Sequence, residues 1–228
     1  MLTSKKNELE NIKLIIFDLD GTLYKLNAKN FLGSLIYRDM RQNSINFLKN
    51  KLNISENEAK NIFEKILINY NYEISIGLEK EFNINRYEYF GFAWNLDANK
   101  YIKQNKKLKH ILALLSTKYK LAVVTDAPKI WAEKVLIRLD IIKMFRENIF
   151  TGESNIRKSF GNAFLAIAKH LGVSVSECVV VGDDKQNDID FAKEIGMKTI
   201  YIGDEPYEQS DYSIKDVCEI DKIFGALT

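Results

Sequence analysis

The chain of 228 residues has few of the features that mark disulfide-linked, membrane-spanning or nucleic-acid-binding proteins. Its two cysteines, Cys178 and Cys218, do not form a CxxC pair, and a disulfide framework would need more of them. No window approaches 18 consecutive apolar residues, so no membrane-spanning helix is predicted. The 33 basic and 31 acidic residues give a net charge of +2, which supplies no general reason to expect a nucleic acid or an acidic membrane as partner.

Proline is equally scarce, and the N-terminal residues are polar. Pro128 and Pro206 are the only prolines, which favours long helices, and Pro128 suits the first turn of a helix over residues 130–139. Residues 1–11 lack the apolar stretch of a signal peptide. We therefore expect a cytoplasmic protein in a reducing compartment, in which Cys178 is a small buried hydrophobic residue.

Helical spacing dominates the chain from about residue 28 to about residue 115. Ser55 and Glu58 predict a capping box at the start of one helix. Its apolar face follows at spacings of three and four, with Ala59, Ile62, Phe63, Ile66, Leu67 and Tyr70. A further helix is predicted to begin at Phe31, Leu32, Leu35 and Ile36.

Short apolar strands alternate with helices in the rest of the chain. They are predicted at residues 13–18, 120–126, 148–152, 178–184 and 199–202. Such strands are typical of a parallel sheet that helices cover on both faces. We therefore predict an α/β fold in which residues 1–24 and 104–228 form the core domain. Residues 25–103 then form an inserted all-helical domain, and residues 108–116 form the crossover helix.

Polar residues suited to one kind of chemistry follow three of these strands. The segments are Asp18-Leu19-Asp20-Gly21-Thr22, Thr125-Asp126 and Gly182 through Asp188, and Arg157-Lys158 precedes a helix between the last two. The carboxyl ends of parallel strands meet at one edge of a sheet, where ligands bind. Carboxylates gathered there would repel one another unless a cation compensated them, and Mg²⁺ prefers oxygen ligands. A cation, a lysine and a hydroxyl together would bind a dianion.

These segments resemble, in order, the four motifs of the haloacid dehalogenase superfamily of phosphohydrolases. The DxDGT motif stands at residues 18–22, the second motif ends at Thr125, the third is Lys158, and GDxxxxD stands at residues 182–188. Two positions depart from the pattern. Ser159 replaces the proline that often follows the lysine, which leaves Arg157 as a competing candidate, and Asp184 adds an acid whose contact with the metal is open.

The resemblance implies a Mg²⁺-dependent phosphatase that acts on a small organic phosphate monoester through an aspartyl-phosphate. Asp18 would attack phosphorus, and Asp20 would protonate the leaving oxygen and later accept a proton from water. The phosphate would be held by Thr125, Lys158 and the backbone N–H groups of Leu19 and Asp126. The metal would be held by Asp18, the backbone carbonyl of Asp20 and Asp183, with Asp188 in its outer shell.

The resemblance further implies a Rossmann-like core with an alpha-helical cap, inserted after the first motif, that chooses the leaving group. Tyr24 is a candidate for the site entrance. Aromatic residues of the insert could stack on a nucleobase or form its core: Tyr70, Tyr72, Tyr87, Tyr89, Phe90 and Trp94. Nucleoside monophosphates, phosphoglycolate and sugar phosphates are the candidate substrates, with a slight preference for nucleotides.

Three alternatives share parts of this pattern. A phosphomutase of the β-phosphoglucomutase type has every core residue and would return the phosphoryl group to a sugar. A 2-haloacid dehalogenase is disfavoured by Asp20, because those enzymes generally lack an acid there. A phospho-accepting receiver-like domain is disfavoured because Lys158 precedes the Asp183-Asp184 pair. The expected partner is a small phosphorylated metabolite, with no nucleic acid polymer and no membrane, and both monomer and dimer stay open.

Overall fold

A six-stranded sheet forms the centre of the protein in a computed structural model that describes residues 9–153 and 157–225. The strands are β1 (Leu14–Phe17), β2 (Lys120–Thr125), β3 (Ile149–Thr151), β4 (Cys178–Gly182), β5 (Lys198–Ile202) and β6 (Tyr212–Ile214). They pair in the order β3-β2-β1-β4-β5-β6, and every pairing is parallel. The predicted α/β fold with a parallel sheet is therefore confirmed. β6 was not among the predicted strands, because only one of its three residues is buried.

The central strand, β1, places the first motif at the carboxyl edge of the sheet. Its four residues are fully buried, as expected for a strand with neighbours on both sides. Phe17 lies opposite Val123 of β2 and Val181 of β4, so the three strands end at nearly the same level. The chain continues from β1 towards β3 on one side and returns to β4 on the other. The residues after β1 therefore lie at a topological switch point, where open α/β sheets bind ligands.

Residues Leu26–Tyr101 form a compact unit apart from Met1–Lys25 and Ile102–Thr228. The expected limits of the insert, 25 and 103, lie one and two residues from these bounds. Its helices are α1 (Leu35–Leu52), α2 (Glu56–Asn69), α3 (Ile74–Phe82), α4 (Arg86–Ala93) and α5 (Ala98–Tyr101). We call Leu26–Tyr101 the helical unit. Its identification as a cap domain stays a prediction.

The first helix of this unit begins later than predicted. Residues Phe31–Gly33 form a 3-10 turn, in which the Asn30 side chain accepts a hydrogen bond from the backbone N–H of Gly33. Ser34 then caps α1 by accepting a hydrogen bond from Tyr37 N at 3.1 Å. Two polar caps in succession therefore interrupt the apolar pattern, since Asn and Ser side chains compete with helical hydrogen bonds. The predicted capping box of Ser55 and Glu58 is present.

Some of the aromatic residues that were candidates for base stacking are buried in the core of the helical unit. Tyr89 and Phe90 are 2% and 6% exposed and pack among the buried residues of α2 and α3. Trp94 stacks on Phe31 with ring centroids 6.0 Å apart. Tyr72 and Tyr87 are exposed. The core reading of Tyr89 and Phe90 is therefore the one that their burial favours.

The helices that flank the sheet are α6 (Lys106–Leu115), α7 (Lys129–Arg138), α8 (Ile142–Phe145), α9 (Ala163–Leu171), α10 (Phe191–Glu194) and α11 (Ile220–Ile223). The crossover helix α6 begins two residues before its predicted start because Asn105 caps it. Pro128 is the residue before α7 and not part of its first turn. Within the described ranges, no helix is long and apolar enough to cross a membrane.

Candidate active site

Three carboxylates meet at the carboxyl ends of β1 and β4. One oxygen from each of Asp18, Asp183 and Asp188 lies within 4.8 Å of the others. Asp18 and Asp188 are buried, and Asp183 is half-buried. Asp18 Oδ2 is buried and receives no hydrogen bond from any described residue. We call Asp18, Asp183 and Asp188 the acidic triad.

A single lysine side chain is bonded to two members of the acidic triad. Lys158 Nζ donates to Asp18 Oδ1 at 2.5 Å and to Asp188 Oδ1 at 2.7 Å. Burial alone would lower the pKa of Lys158, but the nearby carboxylates, Asp18 first, raise this pKa well above its ordinary value. Lys158 is therefore a buried ammonium. The competing candidate, Arg157, has its guanidinium over the ring of Phe160 at 5.8 Å.

The loop that carries Lys158 is held by Asp126, the residue that follows the second motif. Asp126 accepts hydrogen bonds from the backbone N–H groups of Lys158 at 2.8 Å and of Ser159 at 3.2 Å. From the sequence, only the backbone N–H of Asp126 was predicted to act, in phosphate binding. Its side chain has a different use, because it joins the end of β2 to the loop before α9 and so positions the lysine.

The acidic triad fits a divalent cation. Burial is the main cause that raises the pKa of both Asp183 and Asp188, and the charge of Asp18 raises both further. Among the described residues, Lys158 is the ammonium bonded to two of these three carboxylates, so negative charge is left uncompensated. Oxygen ligands, excess negative charge and the unpartnered Asp18 Oδ2 together are what a hard cation such as Mg²⁺ requires. The triad could therefore bind a metal.

The members of the triad differ in the hydrogen bonds that they already accept. Asp188 Oδ1 accepts from Lys158, and its Oδ2 accepts from the backbone N–H of Asp184 at 3.0 Å. Asp183 Oδ1 accepts from the Thr22 hydroxyl at 3.2 Å. Both oxygens of Asp188 are thus already engaged in hydrogen bonds, whereas Asp18 Oδ2 is not.

The backbone approaches the triad so closely that one glycine is required. Gly21 has φ +99°, a conformation that L side chains rarely adopt, and a Cβ there would lie 2.3 Å from Asp183 Oδ2. This turn lets the first motif pass directly beside Asp183. The glycine of the DxDGT segment is therefore explained by both its backbone conformation and its contact.

Asp184, the additional acid of the fourth motif, is directed into its own turn. One carboxylate oxygen accepts hydrogen bonds from the backbone N–H groups of Gln186 at 3.0 Å and Asn187 at 2.9 Å. The other accepts from the Asn187 side chain at 2.9 Å. Asp184 therefore caps the π-helical segment Lys185–Asp190, which carries Asp188 back towards β4. Its side chain is exposed and is not part of the acidic triad.

Asp20 lies outside the triad and is held by three side chains. Its Oδ1 accepts hydrogen bonds from Trp131 Nε1 at 2.8 Å and from the Tyr24 hydroxyl. Its Oδ2 accepts from the Thr125 hydroxyl at 3.3 Å. Burial raises the pKa of Asp20 to about 6, although the hydrogen bonds from Tyr24 and Trp131 oppose this rise. A carboxyl group with such a pKa can both give and take a proton near neutral pH.

Two of the three partners of Asp20, Trp131 and Tyr24, were not predicted in this role from the sequence. Trp131 was assigned no role, and Tyr24 was considered only as a residue at the entrance. A signal for Trp131 exists, because it lies in the first turn of α7 just after the second motif and is fully buried. A buried indole N–H needs an acceptor, and Asp20 supplies it.

The other predicted phosphate-binding residues lie at the same edge. Thr125 ends β2, and its hydroxyl also accepts a hydrogen bond from the backbone N–H of Ala127 at 3.1 Å. Leu19 has a fully buried side chain between Asp18 and Asp20. Only its backbone could therefore contact a phosphate.

Comparison with known proteins gives one family over most of the chain. The family model for haloacid dehalogenase-like hydrolases matches residues 12–196. Glyceraldehyde 3-phosphate phosphatase of Methanocaldococcus jannaschii is 30% identical over 223 residues, which cover 92% of this chain and 95% of that protein. The protein of the same name from Pyrococcus furiosus is 24% identical over 221 residues and covers 92% and 89% of the two chains.

Solved structures agree with this family. A phosphatase of the haloacid dehalogenase family from Thermococcus onnurineus aligns with a TM-score of 0.66 and 27% identity. The alignment covers 94% of this chain and 98% of that one. The predicted family and enzyme class are thus confirmed: the chain belongs to the haloacid dehalogenase-like hydrolases, and it is an enzyme of the phosphohydrolase type.

Proposed function

We propose that this protein is a Mg²⁺-dependent phosphatase that hydrolyses a small organic phosphate monoester through an aspartyl-phosphate on Asp18. The observation that carries the proposal is the division of the carboxylates into two environments. Asp18 lies in the acidic triad beside a buried ammonium, whereas Asp20 lies among neutral hydrogen-bond donors. One environment suits a nucleophile, and the other suits an acid that exchanges protons.

In the first step, a carboxylate oxygen of Asp18 forms a bond to phosphorus while the bond from phosphorus to the ester oxygen breaks. The proton of Asp20 goes to that ester oxygen, so the alcohol leaves neutral. Lys158, which contacts Asp18 at 2.5 Å, offsets negative charge on the nucleophile and on the transferring phosphoryl group. This charge compensation is the main catalytic contribution expected in phosphoryl transfer.

In the second step, the oxygen of a water molecule attacks phosphorus, and the Asp20 carboxylate takes a proton from that water molecule. The bond between phosphorus and Asp18 breaks, and inorganic phosphate is released. The Thr125 hydroxyl, the Lys158 ammonium and the backbone N–H groups of Leu19 and Asp126 would hold the phosphoryl oxygens. Asp18, Asp183 and the backbone carbonyl of Asp20 would hold Mg²⁺, which supplies further positive charge to the phosphoryl oxygens.

Glyceraldehyde 3-phosphate is the first candidate substrate. The support is the name shared by relatives in Methanocaldococcus jannaschii and Pyrococcus furiosus, which match this chain over 92% of its length. The slight preference for nucleotides in the sequence analysis rested on the aromatic residues of the helical unit, and Tyr89 and Phe90 are buried in its core. We therefore rank triose phosphates ahead of phosphoglycolate, sugar phosphates and nucleotides.

The proposal predicts Mg²⁺-dependent phosphate release from at least one ester of a panel that contains these four classes. Asp20→Asn should lower the rate of release from an alkyl ester by about 10²- to 10⁴-fold, because the amide cannot donate the proton. Phosphate release is measured with and without EDTA. No release from any ester by the wild-type protein, or equal rates for wild type and Asp20→Asn, would reject the function. Phosphoryl transfer to a sugar acceptor instead of water would identify a phosphomutase.

Without metal, the stability of the folded protein should decrease as pH rises. The pKa values of Asp183 and Asp188 are raised in the folded protein above the value of about 4 for a free aspartate. The folded state therefore binds more protons than the unfolded state above about pH 4, and stability is lost as pH rises through the raised values. In EDTA, the midpoint temperature of thermal unfolding should decrease as the pH is raised from about 5 to about 8.

Excess Mg²⁺ should remove most of this dependence, since a bound cation stabilises the ionised carboxylates. Thermal unfolding followed by circular dichroism in both conditions makes the comparison. The same pH dependence with EDTA and with Mg²⁺ would be evidence against a metal at the acidic triad.

A further inference from the structure

Asp20 Oδ1 is fixed as an acceptor by two donors on different elements. The indole N–H of Trp131 can only donate, so a proton on Oδ1 would point at another proton. The Tyr24 hydroxyl is the second donor to Oδ1, and it lies on a part of the chain separate from Trp131. Oδ1 therefore accepts two hydrogen bonds in either protonation state of Asp20.

Asp20 Oδ2 has a different neighbour. The Thr125 hydroxyl is 3.3 Å away, and a hydroxyl can donate to a carboxylate oxygen or accept from a carboxyl proton. Oδ2 can thus gain and lose a proton without leaving its neighbour unpaired. The two oxygens of one carboxyl group have become chemically distinct through their partners alone.

Both donors are rigidly placed. Trp131 is fully buried in the first turn of α7, which fixes the direction of its N–H. Tyr24 returns beside Asp20 because the chain turns back between them, with Leu23 N donating to Leu19 O at 3.0 Å and with a parallel bridge between Asp20 and Tyr24. A carboxyl group whose one oxygen accepts hydrogen bonds from two fixed donors has little freedom to rotate about its χ angles.

We propose that Trp131 and Tyr24 are positioning residues that hold Asp20 Oδ1, so that Oδ2 is the oxygen that gives its proton to the leaving group. This inference rests on the proposed phosphatase function. Neither residue touches the reacting atoms, and both act through Asp20. Their contribution therefore depends on whether the leaving group needs a proton.

The test compares two esters in single-turnover experiments that follow formation of the phosphoenzyme. The alkyl ester glyceraldehyde 3-phosphate needs a proton on its leaving oxygen, whereas p-nitrophenyl phosphate releases a stable phenolate and needs none. Trp131→Phe keeps the aromatic packing and removes the N–H, and Tyr24→Phe removes one hydroxyl. Each should slow the alkyl ester about 10-fold or more and change the aryl ester less than about 3-fold. The double variant should approach Asp20→Asn.

Tyr119→Phe is the matched control, because Tyr119 belongs to the same unit and packs against Phe224. It should change neither rate. Equal slowing of both esters by Trp131→Phe and Tyr24→Phe, or no slowing of either, would overturn the inference. Tyr24→Phe deletes a single oxygen and keeps the test valid if Trp131→Phe folds poorly. If the panel shows another alkyl ester to be the substrate, that ester replaces glyceraldehyde 3-phosphate in the test. A wild-type protein that releases phosphate from no ester of the panel would instead reject the proposed function itself.

Discussion

Asp18→Asn is expected to lower phosphate release by about 10⁵-fold while the protein keeps its fold. The amide is nearly the size of the carboxylate but is not a nucleophile, so no covalent phosphoenzyme forms. The buried ammonium of Lys158 still contacts Asp188 at 2.7 Å, so it is not left without a counter-charge. Phosphate release gives the rate, and the protein mass after an acid quench shows whether a phosphoryl group was attached.

Asp184→Asn is the control for this experiment. It makes the same chemical change on an exposed carboxylate that caps the segment Lys185–Asp190, and asparagine is an equally good cap. Its rate should stay within about 2-fold of wild type. If Asp18→Asn still formed a phosphoenzyme, Asp18 would not be the nucleophile. If Asp184→Asn lost as much activity, the exclusion of Asp184 from the metal site would be wrong.

Lys158→Met should be the most destabilising change at this site. It keeps an unbranched side chain one atom shorter and removes the ammonium that is bonded to the buried Asp18 and Asp188. Removing one partner of a buried ion pair costs about 3–5 kcal/mol, because the remaining charges are left uncompensated in a low dielectric. The free energy of unfolding in urea should fall by this amount in EDTA. Mg²⁺ should restore part of it, since the cation compensates the same carboxylates.

Activity should fall as well, by about 10³-fold at saturating Mg²⁺, because the phosphoryl group loses a fixed positive charge. Lys13→Met is the matched control: Lys13 pairs with Glu177 at 2.5 Å but is 66% exposed, and solvent screening leaves such pairs little effect on stability. If Lys158→Met and Lys13→Met were equally stable and equally active, the buried ammonium would have no special importance.

The groups at strand ends could be located from the sequence because parallel strands bring their carboxyl ends to one edge of the sheet. Asp18, Thr125 and Asp183 follow or end three neighbouring strands, and Phe17 lies level with Val123 and Val181. Once the strands are recognised, the edge at which these groups meet follows from the geometry of a parallel sheet. The choice of Lys158 over Arg157 did not follow, because both residues precede the same helix and only the folded loop shows which one faces Asp18.

The hydrogen bonds that side chains make within the site could not be predicted from sequence patterns. The contact of Trp131 with Asp20 depends on how α7 packs. The hydrogen bond from the backbone of Lys158 to the Asp126 side chain depends on the path of the loop that precedes α9. Neither contact has a characteristic spacing. The π-helical segment after Asp184 could not be predicted from a spacing either. It depends on the Asp184 side chain, which caps the segment, and on the hydrogen bond from the backbone N–H of Asp184 to Asp188.

The position of β1 at the centre of the sheet has a consequence for synthesis on the ribosome. β1 emerges first, yet its two neighbours begin only at Lys120 and Cys178. At ordinary translation rates this leaves a fully apolar strand with both edges unpaired for on the order of 10 seconds. Such a nascent segment is exposed to wrong pairings with other chains until β2 and β4 have been made and cover its two edges.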